Sequence, residues 1–543
     1  MAREITIKKG TTLQALLQGR KTIESDLTLT PANLLYRQLR ELLLAGLALC
    51  APLLARAEST NTTANSRALS LRACFDLALS RNLDLQIEHL TTAIAGYDLA
   101  GAYGVYVPTV SFRAQHDYLN QPGDLDPKKA GVDLPYQIQN DTLEPGLTGK
   151  LPIGLSYGVN AYTREDNVRT ILSTFPEIIR NTNNFFSEAR LDLQQHLLRD
   201  FWIDADREQI LLRRRDLKIS QQALRFQIMK TILAVQLSYD DLVAAREAVR
   251  VQEKALELRQ QLVNETRRRV QVGDLPPLDA EQAETQLENT LTALTAAREL
   301  YVSQQNTLKG LLTDDFRAWV DVEVVPTDAL LAVEQEINRS ESFLTAMQNR
   351  PDVIQARLAV EKGDVEVRFR KNQLFPNLDL VGAYGGLGVA DRAGNSINNA
   401  LSFGNEEYSY GVVLSFPLSN IGERNYYRAS KASRQIAQLE LQKAEQGVLL
   451  QIADFVNRAQ SRFSQVGSTR KARAYAEAAL AAEVKKLQNG LSTAFFVLQL
   501  QETLTAARTA EVQALADYNK IIAQLMFAEG SILEKHHLSV EVK

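Results

Sequence analysis

The chain has 543 residues, 45% of them hydrophobic and 23% charged, a folded-protein composition that excludes disorder. A net charge of −4 offers no basic excess to nucleic acid, two cysteines cannot build a disulfide framework, and five histidines argue against a rich metal site. No glycine or proline occurs between Pro176 and Gly273, which excludes a compact domain with ordinary turns there and suits a very long helix.

The first apolar run, Leu42 to Ala55, is too short to cross a bilayer, where about 20 residues are needed. Arg37 and Arg40 precede it, and Ala55-Arg56-Ala57 follows with the small-x-small spacing of a cleavage site. Residues 1–57 therefore read as an N-terminal extension and secretory signal, a buried core helix being the alternative. Lipidation of Cys50 is disfavoured by the bulky Leu49 before it. Removing the leader leaves an acidic, exported chain.

Two copies of one unit follow, 58–325 and 326–543. At one constant offset Ala78 falls on Ala346, Asp84 on Asp352 and Pro108 on Pro376; further on, Gly273 falls on Gly490, Leu287 on Leu504 and Tyr301 on Tyr518. In each copy a helix comes first. Pro351 to Gln373 is the clearer one, with Pro351 suited to the first turn and Asp352 to the positive end of the dipole. Strands come next, near 109–118 and 188–197, then near 377–384 and 408–418. Tyr408, Tyr410, Val412, Leu414 and Phe416 alternate with small or polar residues. The inserted stretch 119–187 holds one further strand-like segment, 153–163, in a region of loop-like composition. It is compatible with a hairpin outside the membrane, in a pore, or in the sheet.

The long helices close each copy. Leu242, Val249, Leu256, Val263 and Val270 recur every seven residues, and Leu287, Leu294, Tyr301 and Leu308 repeat that period on the return. A strict seven-residue period specifies coiled-coil packing between antiparallel neighbours. Phe201 to Val272 as one helix would be about 110 Å long. Four strands with one apolar face cannot close a barrel, and hydrocarbon does not tolerate an open edge. Either the sheet is soluble or several chains share one barrel, three chains giving twelve strands; the export signal and long helices favour sharing. Phe201, Trp202, Tyr426 and Tyr427, where strands meet helices, suit a membrane-interface girdle.

The order "NRPDV" (349–353), "LFPNLDL", "VLSFPLSNIG", long helix, "QNGLSTAFFVLQLQETLTAAR" resembles the outer membrane efflux family, the TolC-like channels. "LALSRNLDL", "LDLQQHLLRD" and "VGDLPPLDAEQAETQL" resemble its other half. The resemblance implies a mainly helical homotrimer: long antiparallel helices form an α-barrel, and four strands per chain contribute to a shared twelve-stranded β-barrel. It implies an exit duct in the outer membrane, extending into the periplasm, for an efflux or type I secretion system, with a periplasmic adaptor and an inner-membrane pump as partners. It implies no bond chemistry and no cofactor.

Its sites are then surfaces and constrictions. The helical tips, Val272-Gly273-Asp274-Leu275 and Asn489-Gly490-Leu491-Ser492, would contact the adaptor. Some family members carry acidic gate residues where this chain has Phe496 and Gln499. Asp279 and Gln282 stand at the corresponding place in the first copy, where a solvated helix face is the favoured reading and a constriction the alternative. Gly154-Leu155-Ser156-Tyr157-Gly158 matches a nucleophile elbow in letters only, because strand alternation continues past it. His536-His537 reads as a surface tail. Gly382, Gly385, Gly386 and Gly388 read as a strand end and hairpin loop. The rival to the duct is a periplasmic coiled-coil scaffold or adaptor that forms no pore.

Overall fold

The computed structural model describes residues 65–122, 136–174, 177–273 and 275–538. The expected leader, with Cys50 and the apolar run, and the tip residue Asp274 lie outside the described residues. Helix dominates, and two sheets are present among the described residues.

Each half opens with a short helix followed by a longer one: α1 (Leu71–Arg81) and α2 (Leu83–Ala102), then α5 (Arg339–Asn349) and α6 (Pro351–Asn372). Side chains cap their N-termini where the sequence permits. Ser70 accepts from Ala73 N–H, Asn82 from Leu85 N–H and Asn338 from Ser340 N–H, each satisfying an orphan donor. Pro351 occupies the first turn of α6 as expected. Ala78 and Ala346, matched in the sequence, are both fully buried, in different core clusters.

The long helices are α3 (Ala205–Gln271) with its return α4 (Pro277–Leu312), and α8 (Ile421–Gln488) with its return α9 (Ala494–Ala528). Asp204 caps α3 by accepting from Arg207 N–H at 2.8 Å, so this helix starts a turn later than its periodicity suggests. At 67 residues it is about 100 Å long. Near the sheet α2 packs on α3, α3 on α6, and α6 on α8; nearer the tips α4 packs on α3, α3 on α9, and α9 on α8. Between these ends the largest core gathers Phe75, Leu224, Ile232, Leu242, Leu308 and Trp319. A parallel pair, β1 (Asn65–Leu69) with β6 (Val322–Pro326), closes over it. The short helix α10 (Ile532–Lys535) leads to His536, which packs edge-on against Phe75 at 4.9 Å and hydrogen-bonds Gln236 at 3.0 Å. His536 is therefore part of the fold, not a surface tail.

The main sheet corrects the expected strand count. It has six strands, not four, in the order β2 (Thr109–Gln121), β3 (Tyr136–Lys150), β4 (Leu155–Thr174), β5 (Glu177–His196), β7 (Asn377–Ala390), β8 (Glu406–Ser415), every neighbour antiparallel. The insertion supplies β3, β4 and the outer half of β5. Pro145 sits inside β3, where the ladder to β4 skips Glu144 and Pro145, a gap suited to a residue without an N–H. The β3–β4 turn is tied to α3: Lys150 Nζ lies 2.9 Å from Asp204 and 2.5 Å from Asp206. The glycines 382, 385, 386 and 388 lie within β7, not in a loop, and a helix, α7 (Ala393–Leu401), follows that strand.

Candidate functional site

The register divides the sheet into two chemically different faces. One row across all six strands reads Val110, Leu147, Val159, Leu191, Tyr384, Tyr408. Because alternate residues share a face, Phe112, Leu193, Tyr410 and Val412 extend this apolar side. The reverse side carries Arg113 paired with Glu144 at 3.3 Å, and Arg190 paired with Asp192 at 2.8 Å and facing Glu407 at 3.9 Å. An apolar outside with a polar, charged inside is the pattern of a membrane barrel wall. The inserted β3 and β4 continue both faces without a break.

The sheet does not close on itself: among the described residues β2 pairs only with β3 and β8 only with β7. Helix seams lie open at the same two ends of the chain. On α2, Leu83, Ile87, Leu90, Ile94 and Tyr97 step by four and three residues, and each is more than half exposed. On α8, Ala429, Ala432, Ile436 and Leu439 form a second exposed seam. Apolar residues at this spacing form stripes of the kind that pack in coiled coils.

At the opposite end, both tip turns are built on a left-handed glycine, Gly273 with φ 83° and Gly490 with φ 72°. Leu491 N–H donates to Lys486 O at 2.8 Å and Gly490 N–H to Leu487 O at 3.1 Å, the Schellman pattern that satisfies the last carbonyls of α8. Ser492 hydrogen-bonds Glu483 at 2.5 Å, and Lys486 pairs with Glu483 at 2.9 Å. These two partners hold the Glu483 carboxyl below its ordinary range. Asn489 is exposed beside them. Val272, Leu278 and Leu491 project into solvent, and Leu275 is half-buried.

Just above the tips a cleft of about 550 Å³ opens between the two long hairpins. It brings Gln282 and Gln499 together, with Arg259, Glu281, Phe495 and Glu502. Asp279 and Phe496 lie outside it; Phe496 packs edge-on against Phe495 at 5.7 Å. Arg259 was not singled out by the sequence reading. Only 6% of it is exposed, its nearest hydrogen-bond partner is Gln286 at 3.4 Å, and burial pushes its pKa down. Its signal was position: with Ala255, Leu262 and Thr266, all buried, it falls on a seam of α3 where an apolar residue is expected.

Phe201 and Trp202 pack edge to face at 4.9 Å, and Trp202 lines a second cavity, of about 740 Å³, with Tyr103, Tyr106 and Phe375. Trp202 is 79% exposed. Tyr426 lies under Arg370 at 5.3 Å and Tyr427 under Lys431 at 4.6 Å. The expected aromatics thus sit at the sheet–helix junction, joined by Tyr103, Tyr106 and Phe375. Ser156 lies in β4 opposite Gln194, with no turn into a helix after it. Among the described residues no cluster could hold a metal ion, and no helix is long and apolar enough to cross a membrane.

Residues 344–531 match the family model described as "Outer membrane efflux protein". The chain is 24% identical over 314 residues to the outer membrane efflux protein BepC of Brucella suis, an alignment covering 57% of this chain and 65% of that one, just under two thirds of the relative. Among solved structures it resembles the CmeC outer membrane channel of Campylobacter jejuni (TM-score 0.61, 15% identity, 87% of each chain covered). It also resembles the outer membrane protein VceC of Vibrio cholerae (TM-score 0.60, 17% identity, 85% and 96% covered) and the outer-membrane channel OprN (TM-score 0.62, 17% identity, 85% and 90% covered). At these identities the structural likeness establishes the fold.

Proposed function

We propose that this chain, a TolC-like outer membrane efflux protein by its second half and its fold, is one of three identical subunits of an exit duct. The likeness to outer membrane efflux proteins supports an outer-membrane location extending into the periplasm and a transport role without bond chemistry.

The observation that carries the proposal is the match between open sheet edges and open helix seams. Among the described residues, β2 and β8 each have one edge with no strand beside it, an arrangement hydrocarbon does not tolerate. A single copy also exposes an apolar seam on α2 at one end and on α8 at the other. Head-to-tail copies would satisfy all four at once, and such contacts form a ring when the rotation between copies closes. Three copies of a six-stranded sheet give eighteen strands, wider than the twelve expected from four strands per chain. Residues 58–325 and 326–543 act as two copies of one unit around that ring. The charged sheet face lines the lumen. Export through it is passive, driven by an inner-membrane pump through an adaptor that contacts the exposed tips. A periplasmic scaffold would have no use for a sheet with one apolar and one charged face.

Envelope fractionation of cells expressing the full chain, followed by native mass measurement, tests this. The proposal requires an outer-membrane trimer; a soluble periplasmic monomer overturns it.

A further inference from the structure

Helix α7 lies on the unexpected side of the sheet. Gly386 and Gly388 follow Tyr384 at two-residue steps and therefore share its apolar face, opposite Arg190 and Glu407. A β-carbon on Gly386 would collide with the Ala400 carbonyl, and one on Gly388 would come within 2.7 Å of Ala400 N. The helix backbone thus occupies the space that side chains would fill. Ser396, fully buried, fastens it: its hydroxyl lies 2.9 Å from Ser187 Oγ, 3.0 Å from Phe185 O and 2.8 Å from Gly388 O. Phe403 stacks on Tyr384 at 5.5 Å.

The glycines leave this face of β7 with no apolar side chain between Tyr384 and Ala390, Leu387 and Val389 lying on the other face. The helix supplies replacements, since Ile397 and Leu401, one turn apart, and Phe403, stacked on Tyr384, are all exposed. Asn395, Asn398 and Asn399 are exposed polar residues on the same short helix. One row beyond Gly388, the face turns polar on β2, β3 and β4 with His116, Asp141 and Glu165, while β5 and β7 still carry Phe185 and Ala390, so the helix sits near the outer border of the apolar band.

We infer that α7 is an external helix seated on the lipid-facing side of the barrel wall, and that Ile397, Leu401 and Phe403 enter the acyl chains of the outer leaflet. This rests on the membrane-channel reading above. An apolar stripe beside a polar one, continuous with the apolar band of the wall, fits the boundary between headgroups and acyl chains. A loop helix folded into the pore would instead lie against Arg190 and Asp192.

Single spin labels on the full chain, reconstituted into phosphatidylethanolamine–phosphatidylglycerol vesicles, test the placement by accessibility to oxygen and to a water-soluble nickel chelate. Cysteines replace Ile397, Leu401, Val412 and Ser409 one at a time in a Cys50→Ser background. Cys74 is buried, and burial pushes its thiol up to about 12, so it stays unlabelled. The oxygen-to-nickel ratio at 397 and 401 should match that at 412, on the apolar face, and exceed that at 409, on the charged face, several-fold. Ratios at 397 and 401 that match 409 while 412 stays shielded would place the helix in water and overturn the inference. A nickel-accessible 412 would remove the membrane-channel reading itself, and the inference with it.

Discussion

Lys520 of α9 and Asp241 of α3 meet at 2.8 Å across 279 residues of sequence, one of the contacts that bind the two halves of the chain together. Asp240, beside this pair, is buried, and its Oδ2 has no hydrogen-bond partner. Burial first, and the charge of Asp241 second, raise its pKa to about 7. A carboxyl whose folded pKa is raised favours the folded state only while protonated. Stability from this group should therefore fall as pH rises from about 4 to about 7, by on the order of a few kcal/mol. Thermal midpoints of Asp240→Asn and the unmodified protein should diverge across that interval, the variant being the more stable above it. Parallel pH profiles would show that Asp240 is ionised in the fold.

The open seam on α2 gives an assembly prediction. Ile87→Asp combined with Leu90→Asp places two charges on a surface that the account buries against the next subunit. Size-exclusion chromatography with light scattering should show loss of the trimer, with helical content retained by circular dichroism. An intact trimer would mean that α2 faces something else.

The two faces of β4 make a paired test. Val159→Arg puts a charge on the apolar face, at a cost of about 2–4 kcal/mol near the bilayer midplane. Ser156→Arg puts the same charge on the lumen face. Outer-membrane yield should collapse for the first and hold for the second. Equal tolerance would remove β3 and β4 from the membrane wall.

The tips should separate docking from pore formation. Val272→Asp with Leu491→Asp changes only exposed side chains. Export, read as drug susceptibility of an efflux-deficient host carrying the matching pump and adaptor, should be lost while trimer yield is unchanged. Gly490→Ala, at a positive φ, should cost about 1 kcal/mol and destabilise the turn locally.

The helices were legible because their signals are local and periodic. Leu242, Val249 and Leu256 announce a coiled coil from spacing alone, and Pro351-Asp352 marks a helix start. Strands β7 and β8 were partly legible for the same reason. β3 was not. Its Asn140, Asp141, Pro145 and Gly146 look like loop residues; Asn140 and Gly146 fall on the charged face, whereas Asp141 lies beyond the apolar band, where polar residues return to the other face as well. The glycines of β7 misled in a different way. What they accommodate is the backbone of α7 packed across the strand, and no window of the strand sequence carries that information. Arg259 escaped notice because its meaning comes from a second hairpin more than two hundred residues away. Strand count therefore needed the structure, whereas the tips, Gly273 and Gly490, stood out from the sequence alone.

The central claim, that copies of this chain close into a water-filled duct, is tested most directly by single-channel recording of the purified protein in a planar lipid bilayer. A trimer should show discrete ion-conducting openings, with larger conductance than a twelve-stranded barrel of the same fold. Trimers that insert and conduct no ions, or protein that never inserts, would contradict it.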